Sequence, residues 1–170
     1  MTTFKRMLSG YVMVLLALVV MAFAVTPAIS GEYAALEGVK GAKAVFEYSQ
    51  GSPKMSNVIF EAIRLAYVDE SVVGLAEKPE FVIVFHGPAV KIISSSREGW
   101  SKEDAAEIDK FQATLRQLKK DGIGMEICLY AADVLGVDKA TIMPEIDRVG
   151  NGFISVIGYQ HQGYAVVRVP

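Results

Sequence analysis

Phe81-Val-Ile-Val-Phe-His-Gly-Pro88 is an unbroken run of β-branched and aromatic residues that stops at a histidine and a Gly-Pro turn. A strand apolar on both sides is buried on both sides, as in parallel sheets with helices above and below. Working outward, Ala44 to Tyr48 reads as a strand before it, and Met125 to Leu129 as a strand after it. Helical patterns separate them. Val58, Ile59, Ala62, Ile63 and Ala66 mark a helix from about Ser56 to Asp69. Ala105, Ile108, Phe111, Leu115 and Leu118 mark a longer one that opens on the capping-box-like Ser101-Lys-Glu-Asp104 and stops at Gly122. A short helix around Ala131 to Leu135 and a loop through Val137 to Pro144 follow. Phe153 to Tyr159 suits either a strand or a helix stopped by Gly163, ahead of a terminal strand Tyr164 to Arg168. This alternation implies right-handed βαβ crossovers and a mostly parallel sheet.

In such folds reactive groups collect at the carboxyl ends of the strands. Here those ends are Tyr48-Ser-Gln-Gly51, His86-Gly-Pro88 and Cys128 to Tyr130. Cys128 is the only cysteine, and the helix start near Ala131 would favour an anion on its sulfur. The plainer reading is a small buried hydrophobe. The histidines, His86 and His161, lack Cys or His neighbours at ligand spacing, so no metal site is expected. Ser49-Gln-Gly-Ser-Pro-Lys54 is neither a dinucleotide fingerprint nor a P-loop, so no cofactor is expected either.

The 170 residues open with Lys5-Arg6, an apolar run from Met7 to Val25 and the small residues Thr26 to Gly31, the pattern of a signal peptide over residues 1–30. Cleavage fits before Gly31 or after Ala28, and an uncleaved anchor is the alternative, the only route to the membrane in this reading. Either way the body is expected to be exported and periplasmic. Residues 31–170 suffice for one domain. The chain holds 17 basic and 19 acidic residues; without Lys5 and Arg6 the body keeps 15 basic, for a net charge of −4, which does not suggest nucleic-acid binding. A lone cysteine in an oxidising compartment is buried, paired between chains, or kept for chemistry.

Three stretches carry a resemblance: Phe81 to Pro88, Gly124-Met-Glu-Ile-Cys-Leu-Tyr-Ala-Ala132, and Ile146 to Tyr164 with its Asn151-Gly152. Together, and in this order, the chain resembles the DsrE/DsrF-like family in its exported single-domain form. The resemblance implies a flavodoxin-like α/β three-layer sandwich, assembly into trimers or hexamers, and a role in sulfur relay in which a cysteine holds sulfane sulfur as a persulfide and passes it to a partner protein. Cys128 matches that cysteine by its place before Ala131-Ala132. The resemblance also favours a helix for Phe153 to Gln162.

On this reading Cys128 is the sulfur acceptor, and His86 stabilises the anion as imidazolium or shuttles a proton. Tyr130, Gln160 and Tyr164 line an opening or, more simply, pack between subunits. Ile93 to Trp100 reads as a polar, flexible surface loop with Trp100 packed on a neighbour, and the charges of the long helix as a solvated face with internal pairing. The competing reading is a non-enzymatic oligomeric binding or scaffold protein with a buried Cys128. A redox enzyme would need a resolving thiol from another protein.

Overall fold

The computed structural model describes residues 33–170, and the expected export segment at residues 1–30 lies outside the described residues. Five strands form one sheet in which every neighbouring pair is parallel. They are β1 (Lys43–Tyr48), β2 (Glu80–Phe85), β3 (Gly124–Cys128), β4 (Asp147–Val149) and β5 (Ala165–Val169), in the order β4-β3-β2-β1-β5. The helices are α1 (Pro53–Val68), α2 (Glu70–Val73), α3 (Ala89–Ile92), α4 (Lys102–Lys120), α5 (Leu129–Val134) and α6 (Gly152–His161). The architecture is the flavodoxin-like α/β sandwich expected from the sequence.

The chain steps outward from β1 to β4 and then returns across the whole sheet to set β5 beside β1. Parallel crossovers are right-handed, so reversing direction moves the connecting helix to the opposite face. Phe46, Tyr48, Ile83, Phe85, Met125 and Ile127 accordingly meet Phe60 and Ile63 of α1 and Ile108, Phe111, Leu115 and Leu118 of α4 in the main core. The alternate residues Val45, Val82 and Val84 meet Val156 and Tyr159 of α6 and Tyr164 in a much smaller cluster. Phe60 sits amid Tyr48, Phe85 and Phe111, with ring centroids 5.0, 6.0 and 4.7 Å away.

Several boundaries differ from the sequence reading for identifiable reasons. Helix α1 starts three residues early because Pro53, which reads as a turn residue, needs no N–H in a first turn, and Ser52 Oγ accepts from the Met55 N–H. Its buried face is Ser56, Phe60 and Ile63, whereas Val58 is 60% exposed and Ala62 and Ala66 point outward. The short strand β4 falls where no strand is expected, since Asp147 and Arg148 are exposed and give no apolar signal. The Phe153 segment is a helix. Both long-range stops hold: Gly122 after α4 and Gly163 after α6 have φ of +98° and +87°, which glycine adopts without strain.

The charges of α4 reach out of the helix instead of pairing along it. Asp109 binds Arg97 at 2.7 Å, Arg116 binds Glu145 at 3.2 Å and Lys119 binds Asp147 at 3.1 Å. The loop from Ile93 to Trp100 is likewise fastened down. Buried Gln112 donates to the carbonyls of Ile92 and Ser94, Arg97 donates to the Ser94 carbonyl, and Trp100 packs against the main core.

Candidate functional site

Cys128 ends β3 and is the N-cap of α5, yet its side chain makes no capping hydrogen bond, and the Tyr130 N–H donates instead to the Gly150 carbonyl. The reason is strand parity. Met125 and Ile127 face the main core, so Cys128 faces the other way, toward α6, while α5 buries Ala132 in the main core. The sulfur therefore lies under the first turn of α6 and not beneath α5 as the sequence suggests. The approach is close: a Cβ at Gly152, the first residue of α6, would lie 3.0 Å from Cys128 Cβ and 3.7 Å from Sγ. Asn151 caps that turn, its Oδ1 accepting from the Phe153 N–H at 3.0 Å. Cys128 is only 5% exposed in the single chain.

His86 arrives at the same place from the neighbouring strand. Phe85 pairs with Ile127 in the parallel register, and His86 and Cys128 are each the next residue after that pair on neighbouring stretches of chain. The His86 ring stands 5.6 Å from the ring of Phe153 on α6, and its Nε2 lies 3.3 Å from Glu47 Oε1 on β1. Burial pushes the His86 pKa below its ordinary value; the Glu47 charge works against this and Arg168 works with it. The neutral ring is thus the favoured form near pH 7, which of the two expected roles suits the proton shuttle better than the imidazolium.

A model of the DsrE/DsrF-like family matches residues 20–169. The chain belongs to the DsrE/DsrF-like family. The fold agrees with solved structures. A protein of unknown function from Methanobacterium thermoautotrophicum is 16% identical with a TM-score of 0.58, the alignment covering 75% of this chain and 99% of that one. The ychN protein of E. coli is 15% identical with a TM-score of 0.50 and the same coverage. No curated protein matches the chain.

In this DsrE/DsrF-like chain the other candidates fall elsewhere. Tyr164 donates to Glu80 Oε2 at 2.6 Å, at the amino ends of the strands and so opposite Cys128; that carboxylate pushes its pKa up to about 12. Gln160 is near the far end of α6, and Tyr130 is exposed on α5. A cleft of about 400 Å³ lined by Lys91, Ser94, Trp100, Asp138 and Thr141 includes neither Cys128 nor His86. Among the described residues no cluster of three His, Cys, Asp or Glu side chains would hold a metal, and no helix is long and apolar enough to cross a membrane. Sequence reasoning missed Glu47, Gly152 and Phe153. Glu47 was legible in principle, as the one charge inside the apolar strand Ala44 to Tyr48.

Proposed function

We propose that this DsrE/DsrF-like protein handles sulfane sulfur at Cys128. The observation that carries the reading is the convergence of Cys128 and His86, 42 positions apart in sequence, against the first turn of α6. Neutral His86 takes the thiol proton, and the Cys128 thiolate attacks the outer sulfur of a donor persulfide. The donor S–S bond breaks, the donor thiolate leaves and recovers the proton, and Cys128 carries the extra sulfur. A partner thiolate then attacks that outer sulfur and Cys128 departs as thiolate. The positive end of the α6 dipole favours the anionic persulfide.

Because Cys128 is nearly sealed, loading requires the first turn of α6 to lift; the helix is held by a small apolar cluster and, at its far end, by the Tyr159 hydroxyl donating to Glu126 at 2.7 Å. Exposed Phe153, Ile154 and Ile157 on α6 support self-association of the protein, and the composition of residues 1–30 supports work outside the cytoplasmic membrane.

The low exposure of Cys128 favours a second reading, an oligomeric scaffold with a structural cysteine. Intact-mass spectrometry after incubation with polysulfide separates the two. A gain of one sulfur, reversed by reductant and absent in Cys128→Ser, supports the carrier. An unchanged mass, with a thiol that alkylates only after unfolding, supports the scaffold.

A further inference from the structure

A row of four polar groups crosses one face of the sheet, and two of them, Glu47 and Arg168, have no place in the mechanism above. In the order of the strands it runs Arg168 on β5, Glu47 on β1, His86 after β2 and Cys128 on β3. Glu47 and Arg168 are paired in the register, and Glu47 is level with Val84, so His86 lies two residues farther along on the same face. Glu47 Oε1 is 3.3 Å from His86 Nε2, with both side chains largely covered, at 21% and 18% exposure. Nε2 itself is shielded from water and makes no well-formed hydrogen bond.

We propose that Glu47 is a positioning residue for His86. Accepting from Nε2–H, it fixes the tautomer in which the other ring nitrogen, Nδ1, keeps its lone pair free to take the Cys128 proton. Arg168, paired with Glu47 in the strand register, opposes the protonated ring from the far side. The proposal rests on the sulfur-handling reading of the same site. The charged groups acting on His86 are Glu47 from β1 and Arg168 from β5; Cys128 ends the neighbouring strand β3, and the first turn of α6 presents Phe153 and no titratable side chain.

The test uses the full-length protein and two readouts. The first is the NMR titration of the His86 ring, and the second is the pH profile of Cys128 alkylation by iodoacetamide, which needs no sulfur donor. Glu47→Gln is expected to lower the His86 midpoint and to slow alkylation at pH 7 about tenfold, with Glu47→Asp recovering part of the rate. Arg168→Gln, at an exposed position, is expected to move the midpoint the opposite way, so the proposal stays testable if Glu47→Gln folds poorly. Midpoints and alkylation profiles unchanged in the folded variants would overturn it. If these effects appear but polysulfide adds no mass to the wild type, the sulfur reading fails and the role of Glu47 stands.

Discussion

A methyl group added at Gly152 would stand 3.0 Å from both Cys128 Cβ and Val84 Cγ1, neither of which is the end of a flexible chain. Gly152→Ala is therefore expected to cost about 1–3 kcal/mol in urea unfolding, through overpacking between α6 and the sheet. His86 gives a pH dependence with a definite sign. Its pKa is depressed in the fold, so as pH falls below about 6.5 the unfolded chain takes up the proton first. The stability this group contributes is present above that pH and is lost as pH drops toward the folded pKa. Unfolding free energies between pH 7.5 and 5 should show a decline, as set by about that reference value, of which His86→Gln removes a part. Which residues matter was half legible from sequence. Strand ends pointed to Cys128 and His86, but the facing of Cys128 follows from strand parity and from the side on which α5 packs, which no local pattern reveals.

At the scale of elements, caps and stops read well and faces read poorly. Ser101, Gly122 and Gly163 all do what their chemistry suggests, because a cap acts on its own helix. The buried face of α1 did not, because the helix carries two apolar stripes and only the packing of Phe60 among Tyr48, Phe85 and Phe111 shows which is inside. Phe60→Ala is expected to cost about 3–5 kcal/mol, whereas Val58→Ala on the outer stripe should be close to neutral, both measured by urea unfolding. Two cap variants separate local from global effects. Ser101→Ala on α4 and Asn151→Ala on α6 should each lose about 1 kcal/mol, measured in the same way. Only Asn151→Ala should also speed alkylation of Cys128, because the first turn of α6, and not α4, lies against that residue.

The molecule as a whole carries two unequal cores, a large one under α1 and α4 and a small one under α6. The parallel sheet was legible from the unbroken run at β2, since residues apolar on both sides must be covered on both. The imbalance was not, because it depends on the single helix that returns across the sheet from β4 to β5. The same imbalance leaves Ile154, 69% exposed, on the outer side of α6. If copies associate through this side, Ile154→Asp should lower the mass seen by light scattering while leaving the circular dichroism spectrum unchanged. The central claim is that Cys128, though covered, is reached in the native fold by a local opening of α6. Its most direct test is the rate of Cys128 alkylation across low urea concentrations, set beside the global unfolding curve. A rate nearly independent of urea well below the unfolding transition is the result expected, because a local opening exposes little surface. A rate that follows global unfolding throughout would contradict it and leave Cys128 a structural residue.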